Sequence, residues 1–378
     1  MSKRTCIGIL GGGQLARMSA FEAYKLGFEI AILEKIKNSP AGQLTHNEFV
    51  GWVDDEEVFN KFIQQSDIVT LENEFVDYQY LEHIERTGKK VLPSSKTIGT
   101  IQDKLFQKLA IRRNQIPVPN FIEIKKNYDY EMISTILGKK FILKSRKMGY
   151  DGYGNALITN DKTWKAAVER LTGRHNELMA EEFIEFQKEL AVMVVRTSKE
   201  IKTYPVVETI QENHICKIVI APADITKRIQ EHAKEIAIEA VKAIKGYGIF
   251  GVELFLNRKD EVLLNELAPR PHNSGHYTLE ACVTSQFENH IRAILDLPLG
   301  STEMIKQAAV MINILGKQNS DGLIKNYNQV LKQPDIHLHF YNKETSRVGR
   351  KMGHITVIGN NKTELLKKAK QAERLIQV

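Results

Sequence analysis

The chain contains little cysteine and no long apolar run. Its 378 residues include three cysteines, Cys6, Cys216 and Cys282, which are odd in number and far apart. Neither a disulfide framework nor a CxxC metal motif can be built from them, which favours a reducing cytoplasm. No uninterrupted apolar stretch reaches about 18 residues, and glycines interrupt the short apolar run at the start. We therefore expect neither an export signal nor a membrane span.

Two nucleotide-related signatures are also missing. The chain has no Walker A sequence, G-x-x-x-x-G-K-S/T, and no aromatic stacking motif of the RNA-binding kind. The net charge of +7 is concentrated, since residues 343–378 hold nine Lys or Arg and three Glu, an excess of six. Such a tail could bind nucleic acid, or it could supply one phosphate site beside an amphipathic helix. The missing stacking motif favours the phosphate site and argues against a nucleic-acid partner.

The composition that remains, 42% hydrophobic and 26% charged, is that of a globular protein. Apolar strands at 5–10, 28–33 and 67–71, with helical spacing at 13–26, predict βαβ units and a parallel sheet. A helix is predicted over 95–114. The pattern then changes to antiparallel strands and predicts an α+β middle, in the order 140–145, 155–159, 178–183, 189–196, 201–207, 215–220, a helix at 224–244 and a hairpin at 249–267.

Two breaks in the pattern divide the chain. One lies near residue 98, and the other lies near Pro298 and Gly300, before further strands at 308–314, 336–341 and 355–358 and a terminal helix. We predict an N-terminal α/β domain, an α+β domain and a small C-terminal domain, with the bounds 1–98, 99–298 and 299–378.

The first candidate motif is GILGGGQLA at residues 8–16. Gly11, Gly13 and Ala16 satisfy G-x-G-x-x-A between a strand and a helix. Glu34 ends the next strand at the distance typical of a ribose-binding acid. These features are consistent with a nicotinamide-dependent oxidoreductase. The same glycines serve a tight turn and helix packing without any dinucleotide, so the motif alone leaves both interpretations open.

The second candidate is the glycine-rich loop RKMGYDGYG at 146–154, between two short strands. A loop with Gly149, Gly152 and Gly154 can fold over a polyphosphate and present backbone N–H groups, while Lys144 on the preceding strand supplies a positive charge. The alternative is a solvated hairpin tip beside a surface lysine.

The third candidate is a pair of carboxylates on one predicted hairpin. Glu253 and Glu266 lie on strands joined by a short polar turn, and antiparallel pairing would bring them to neighbouring positions on one face. Unpaired carboxylates side by side repel each other, and Mg²⁺ removes that repulsion because it prefers carboxylate oxygens. The alternative is an exposed strand face on which the glutamates pair with arginines.

The segment PRPHNSGH at 269–276 directly follows Glu266. His272 and His276 have helical spacing, but Gly275 and the prolines oppose a helix, so a zinc site is disfavoured. A rigid loop with Arg270, His272 and Asn273 beside a metal is better suited to holding a small oxyanion.

Four of these segments, in this order, resemble the 5-(carboxyamino)imidazole ribonucleotide synthases, an ATP-grasp family of purine biosynthesis. The segments are GGGQL at 11–15, GYDG at 149–152 after Lys144, NELAPR at 265–270 continuing to His276, and RKMGH at 350–354. The stretch from 265 to 278 is the most specific, because other ATP-grasp enzymes share its Asn-Glu pair but continue differently. The resemblance covers essentially the whole chain.

The resemblance implies an ATP-grasp fold with an N-terminal Rossmann-like (pre-ATP-grasp) domain and a small C-terminal domain, in a cytoplasmic homodimer. It implies the conversion of ATP, bicarbonate and 5-aminoimidazole ribonucleotide, through carboxyphosphate, into the N-carboxylated nucleotide, ADP and phosphate. The implied cofactors are ATP and Mg²⁺. A water-excluding lid fits this chemistry, because a mixed anhydride released to solvent would hydrolyse.

The resemblance also implies roles for individual residues. ATP would be bound by Lys104 and Lys144 on its phosphates, by the lid Gly149, Tyr150, Asp151, Gly152, Tyr153, Gly154 and Asn155, by the adenine-binding hinge Glu181, Glu182, Phe183 and Ile184, by Glu189 on the ribose, and by Asn265 beside Glu266. Glu253 and Glu266 would hold Mg²⁺, and Arg270, His272 and Asn273 would surround bicarbonate. The imidazole ribonucleotide would be bound by Gln14, Tyr150, Asp151, Lys343 and Arg350, with Glu72 and Glu74 as further candidates.

The chain departs from the family pattern at several positions. Met148 replaces the first of two paired glycines in the lid, and Tyr153 replaces a lysine. The family's nucleotide-contacting histidine aligns with Gln211, while His214 lies three residues later, so neither is assigned. Ala268 stands where many ATP-grasp metal sites have an asparagine, as it does in this family. The alternatives are another ATP-grasp carboxylase or transformylase, such as a formate-dependent glycinamide ribonucleotide transformylase or a biotin carboxylase, and a catalytically silent nucleotide-binding regulator.

Overall fold

The computed structural model describes residues 4–149, 154–173 and 176–378. The first part is a five-stranded parallel sheet with the strand order β3-β2-β1-β4-β5, flanked by helices. Its elements are β1 (Cys6–Leu10), α1 (Gln14–Lys25), β2 (Glu29–Glu34), β3 (Asn47–Val50), α2 (Glu56–Gln65), β4 (Ile68–Leu71), α3 (Tyr78–Arg86), β5 (Lys90–Val91) and α4 (Ser95–Gln102).

Both faces of this parallel sheet are covered. Ile7 and Ile9 of β1 pack in a cluster with α1, whereas Cys6 and Leu10 pack in a second cluster on the other face. The first cluster also contains Ile291 from a helix near the end of the middle region. A sheet covered on both sides reads as continuous apolar strands, which is why periodicity predicted this α/β unit correctly.

The middle region begins with a four-stranded antiparallel sheet in the order β6-β9-β7-β8. Its elements are α5 (Lys104–Arg113), β6 (Phe121–Glu123), α6 (Tyr130–Leu137), β7 (Phe141–Ser145), β8 (Asn155–Ile158), α7 (Asp161–Thr172) and β9 (Leu178–Glu182). The predicted lid therefore lies on the β7–β8 hairpin, in which Lys144 pairs with Asn155.

A nine-stranded antiparallel sheet follows, in the order β15-β14-β10-β12-β13-β16-β20-β18 with β11 beside β10. It continues without a break from β13 to β16, across the predicted boundary at 298. Its strands and associated elements are β10 (Phe186–Arg196), β11 (Ile201–Thr203), β12 (Val207–Glu212), β13 (Ile215–Ala221), α8 (Lys227–Ala243), β14 (Gly248–Asn257), β15 (Val262–Ala268), α9 (Thr278–Ala281), α10 (Gln286–Ile294), β16 (Ala308–Leu315), β17 (Ser320–Asp321), α11 (Tyr327–Val330), β18 (Ile336–Phe340), β19 (Thr345–Ser346), β20 (Lys351–Gly359) and α12 (Lys362–Leu375).

The prediction of one helix over 95–114 is wrong. Asp103 has extended backbone angles, φ −101° and ψ 110°, and divides the segment into α4 and α5. Its carboxylate accepts hydrogen bonds from the N–H groups of Leu105 and Phe106, which caps α5. Since Asp103 is buried and ion-paired with Arg146, a tertiary contact ends the first helix.

Candidate active site

Three lysines and two glutamates form a charged cluster between α5, β7, β9 and β15. Lys104 and Lys108 lie one turn apart on α5, and Lys104 Nζ is ion-paired with Glu266 on β15. Glu181 on β9 receives Lys144 Nζ at 2.6 Å and Lys108 Nζ at 3.3 Å. Glu181 is 3% exposed, so its charge is compensated by lysines rather than by water. Lys104 and Lys144 thus belong to the same charged cluster, and their contact with ATP phosphates stays a prediction.

Lys108 is a further lysine of this cluster, and it was not predicted from the sequence. Its amine is buried, and it also donates to the carbonyl oxygen of Leu264 at 3.2 Å. Burial lowers the pKa of Lys108 to about 8. Burial acts to raise the pKa of Glu181, but Lys108 and Lys144 together lower it. Lys108 and Glu181 are therefore mostly charged near neutral pH. The sequence signal for Lys108 was its spacing of four from Lys104.

The two hairpin carboxylates lie side by side, which confirms the predicted pairing. Glu253 and Glu266 are direct cross-strand partners on β14 and β15. Burial and repulsion by Glu266 raise the pKa of Glu253. Burial also acts on Glu266, but the neighbouring Lys104 lowers its pKa. Asn265 donates to Glu253 Oε2 at 3.4 Å.

The base of the predicted lid is anchored to α5. Arg146, just after β7, contacts Asp103 with Nη2 to Oδ2 at 2.6 Å and donates to Glu123 at 2.8 Å. Met148 adopts a left-handed φ of +59°, a conformation that glycine takes at little cost and other residues rarely take. Gly149, Gly154 and Asn155 flank the loop. The predicted lid residues Tyr150, Asp151, Gly152 and Tyr153 lie outside the described residues.

The predicted adenine hinge at 181–184 spans the last two residues of β9 and the two residues after it. Glu182 accepts a hydrogen bond from Asn120 Nδ2 at 2.8 Å, and Lys140 lies 3.6 Å from the centre of the Phe183 ring. Ile184 accepts a backbone hydrogen bond from Phe186 at 3.1 Å. The segment is thus held at both ends while the side chain of Glu181 points to the lysines.

Glu189, the predicted ribose ligand, lies on β10. Burial raises its pKa, and a hydrogen bond from Gln211 opposes that shift. Gln211 is therefore the neighbour of Glu189. His214 lies in the exposed β12–β13 turn, with a left-handed φ of +64°.

The predicted oxyanion loop connects the carboxylate pair to the C-terminal strands. Arg270 Nε lies 2.6 Å from Glu74 Oε2, and His272 Nε2 lies 3.5 Å from Glu253 Oε1. Burial and the charge of Arg270 lower the pKa of His272 to about 3, so its imidazole is neutral at physiological pH. Asn273 is buried, and its side-chain amide is hydrogen-bonded to the side chain of Asn313. The loop packs so closely that a Cβ on Gly251 would lie 2.5 Å from the His272 side chain.

Four of the predicted imidazole-nucleotide residues line a cavity of about 720 Å³, whose wall also includes residues of the oxyanion loop. Gln14, Glu72, Lys343 and Arg350 lie on its wall, and Glu74 reaches it through its ion pair with Arg270. Lys343 donates to the carbonyl oxygen of Lys351 at 2.8 Å, and Arg350 donates to Thr345 at 2.7 Å. The N-terminal and C-terminal regions thus form one pocket with a cationic wall.

Two carboxylates of the protein accept hydrogen bonds from the backbone of the glycine-rich turn at 11–13. Glu72 accepts from the N–H groups of Gly13 at 2.5 Å and Leu15 at 3.1 Å, and Glu34 accepts from Gly12 at 2.9 Å. A Cβ on Gly13 would lie 2.2 Å from Glu72 Oε1. The position at which a dinucleotide pyrophosphate would meet this helix is therefore taken, which removes the basis of the nicotinamide interpretation.

Three family models match consecutive parts of the chain. A ribonucleotide synthetase preATP-grasp domain matches residues 4–102, an ATP-grasp domain matches 109–287, and a phosphoribosylaminoimidazole carboxylase C-terminal domain matches 309–368. Together with the cluster of lysines and carboxylates, these matches define an ATP-grasp enzyme. The predicted fold class and the predicted ligase class are confirmed.

Individual relatives specify the family. The N5-carboxyaminoimidazole ribonucleotide synthase of Synechococcus elongatus is 39% identical over 374 residues, which cover 98% of this chain and 93% of that protein. A crystal structure of the Aspergillus clavatus N5-carboxyaminoimidazole synthase with ADP and 5-aminoimidazole ribonucleotide has a TM-score of 0.89 and 38% identity, with 98% of each chain covered. The chain belongs to the N5-carboxyaminoimidazole ribonucleotide synthase family, as predicted.

Other relatives are longer than this chain. The phosphoribosylaminoimidazole carboxylase of Vigna aconitifolia is 40% identical over 364 residues, which cover 94% of this chain but 64% of that protein. The chain thus spans about two thirds of the length of such relatives. Within the described residues, none of the helices is both long and apolar enough to cross a membrane.

Proposed function

We propose that this chain catalyses the ATP- and bicarbonate-dependent carboxylation of 5-aminoimidazole ribonucleotide to 5-(carboxyamino)imidazole ribonucleotide, with release of ADP and phosphate, in purine biosynthesis. The main support for this proposal is that the candidate ATP site and the candidate ribonucleotide site are continuous with each other. The oxyanion loop, with Arg270 and His272, joins the lysine–carboxylate cluster to the cationic cavity. The coverage of the Synechococcus elongatus synthase by nearly the whole chain supports the same reaction.

The lysine–carboxylate cluster is our proposed ATP site. Lys104 and Lys144 would contact the phosphates, the hinge at 181–184 would bind adenine, and Glu189 would bind the ribose hydroxyls. The residues present fit Mg²⁺, because Glu253 and Glu266 are adjacent carboxylates whose repulsion a hard cation would relieve. Bound there, the ion would neutralise phosphate charge.

The oxyanion loop is our proposed bicarbonate site. A bicarbonate oxygen would attack the γ-phosphorus, the bond to ADP would break, and carboxyphosphate would form. Arg270 and Asn273 would hold the anion by charge and hydrogen bonds. The pKa of His272 is far below neutrality, so its neutral imidazole offers one donor and one acceptor.

The cavity is our proposed ribonucleotide site. Gln14, Lys343 and Arg350 would bind the nucleotide, with Glu72 and Glu74 beside them. Carboxyphosphate would break into carbon dioxide and phosphate, and the exocyclic amine would add to carbon dioxide with loss of a proton. The family resemblance implies that Tyr150 and Asp151 also bind this nucleotide, which stays a prediction.

We also propose the three domains 1–98, 99–298 and 299–378, a homodimer and a cytoplasmic location. The family resemblance is the support for the dimer, and the odd number and wide separation of the three cysteines support the location. Sedimentation analysis of the purified protein would test the dimer.

The reaction is tested by the release of ADP from ATP, Mg²⁺ and bicarbonate, measured with and without 5-aminoimidazole ribonucleotide. Formate with glycinamide ribonucleotide is the control pair. We expect ADP release that depends on 5-aminoimidazole ribonucleotide. Turnover with the control pair would favour the transformylase. ATP binding without turnover in either mixture would favour the regulator.

A further inference from the structure

Three side chains of types that can ligate a metal come together from separate elements, next to the proposed ribonucleotide cavity. Glu280 lies on α9, His339 on β18 and His354 on β20, and one ligand atom from each lies within 4.8 Å of the others. His339 and His354 are direct cross-strand partners, and their rings stack with centroids 4.5 Å apart. His339 Nε2 lies 2.6 Å from Glu280 Oε1. This group is called the Glu-His-His cluster below.

Two buried polar atoms of the cluster have no hydrogen-bond partner within the described residues, namely His354 Nε2 and Glu280 Oε2. His354 is fully buried, and the side chain of Glu280 is 10% exposed. A buried polar atom without a hydrogen-bond partner destabilises the fold, because it has lost its contacts with water. Two of them in one small group mark a place where a shared ligand would be stabilised.

The hydrogen bonds around the cluster select which atoms could bind a metal. Tyr341 Oη lies 2.9 Å from His354 Nδ1, so an Nδ1–H that donates to Tyr341 leaves the Nε2 lone pair free.

The nearby His276 is excluded from the ligand set by its own hydrogen bond. Gln286 accepts from the N–H of His272 and donates to its carbonyl oxygen, each at 2.9 Å, which fixes the orientation of the amide. The same amide nitrogen then donates to His276 Nδ1 at 2.9 Å. His276 Nε2 must therefore carry the hydrogen and cannot coordinate.

We propose that Glu280, His339 and His354 bind a divalent transition-metal ion, such as zinc, through one carboxylate oxygen and two imidazole Nε2 atoms. Imidazole ligands suit zinc and its neighbours and do not suit Mg²⁺. Metal–ligand bonds of about 2.0–2.1 Å in a tetrahedron place ligand atoms roughly 3.3 Å apart, so the side chains must close by up to about 1.5 Å.

One of the three proposed ligands lies on an edge strand of the described sheet. His339 lies on β18, which ends the nine-stranded sheet among the described residues, and its side chain is 31% exposed. Its exposure also gives water access to the fourth coordination position. In the bound state His339 Nε2 would exchange its contact with Glu280 for the metal, and its proton would sit on Nδ1. A bound ion would join α9, which follows the oxyanion loop, to the strand that leads to Lys343.

The test is zinc binding by the full-length protein after chelator treatment, in millimolar Mg²⁺ so that the hairpin carboxylates are occupied. We expect one tightly bound zinc per chain by elemental analysis, and affinity reduced roughly tenfold or more in His339→Gln and in the isosteric Glu280→Gln. His337→Gln, on the same strand, is the matched control and should bind as the wild type does. Circular dichroism would confirm that each variant is folded.

Cobalt absorption and zinc retention in a second variant provide two further tests of this metal site. Cobalt bound to the wild type should give the visible absorption of a tetrahedral site. Octahedral cobalt, or equal zinc affinity in wild type and His339→Gln, would overturn the proposal. Glu266→Gln should retain its zinc, and loss of zinc in that variant would assign the ion to the hairpin carboxylates instead. None of these outcomes depends on the proposed reaction.

Discussion

The charge state of Lys343 gives a sharp prediction about binding of the ribonucleotide. Burial and the nearby cations, chiefly Arg350, lower the pKa of Lys343 to about 7. Because the pKa of this lysine falls on folding, its charged form persists below pH 7 and is lost as the pH rises. About 90% of the amines are charged at pH 6 and about 10% at pH 8.

If the charged amine binds the substrate phosphate, kcat/KM for 5-aminoimidazole ribonucleotide should fall roughly 50-fold between pH 7 and pH 9. The value follows from the protonated fraction, which drops from about one half to about one hundredth over that range. The substrate phosphate has its second pKa near 6, so it stays dianionic throughout. The assay is steady-state ADP release, since kcat/KM reports the pKa of the free enzyme.

Two substitutions separate this mechanism from a general pH effect. Lys343→Arg keeps its charge over the whole range, so the decline above pH 7 should disappear. Lys343→Ala should raise KM for the ribonucleotide about tenfold or more at pH 6.5, with a much smaller change for ATP. A decline with the same midpoint in wild type and Lys343→Arg, or a larger effect on KM for ATP, would refute the reasoning.

Three other changes test separate parts of the site. Asp103→Asn, which breaks the buried ion pair with its arginine, should cost about 3 kcal/mol in urea unfolding, whereas the exposed helix cap Asp55→Asn should have little effect. Gly13→Ala should lower the unfolding free energy by about 1–3 kcal/mol and raise KM for the ribonucleotide, because the new methyl group meets a carboxylate, while Gly173→Ala should be neutral. Glu266→Gln should abolish Mg²⁺-dependent turnover without loss of the fold, and normal turnover would remove it from the metal site.

The sequence was most informative where the determining contacts are local. Glu253 and Glu266 were placed together correctly because a short turn fixes the register of their hairpin. The parallel sheet was predicted because strands covered on both faces are uniformly apolar. A strand predicted over 201–207 instead divides into β11 and β12, with Pro205 between them.

Contacts distant in sequence could not be predicted in this way. The helical pattern continues through Asp103, and the partner that ends the helix, Arg146, lies 43 residues later. Pairing of β13 with β16 joins strands that no local pattern relates. Lys108 has the sequence context of an ordinary helix lysine, and its burial beside Glu181 follows from the packing of α5 against a separate sheet.

The contact between Lys104 and Glu266 implies that the lysine and the metal compete for the same carboxylate, and that bound nucleotide would relieve this competition. Burial works against the ammonium group, but Glu266 raises the pKa of Lys104, so the pair is charged. In the protein without nucleotide, the lysine therefore neutralises the carboxylate that we assign to Mg²⁺. ATP phosphates would draw the lysine away and leave Glu266 free for the cation.

Lys104→Met should consequently change two affinities in opposite directions. Removal of the ammonium group leaves Glu253 and Glu266 with less compensation, so Mn²⁺, used as a probe for Mg²⁺, should bind the nucleotide-free variant about tenfold more tightly, or ~1.4 kcal/mol. ATP should bind more weakly, because its phosphates lose a cation. Electron paramagnetic resonance would follow Mn²⁺ and calorimetry would follow ATP, with the exposed Lys96→Met as the control for loss of charge. If Mn²⁺ and ATP both bind the variant more weakly, Lys104 does not occupy the metal position. Its ion pair with Glu266 then serves only to stabilise the structure.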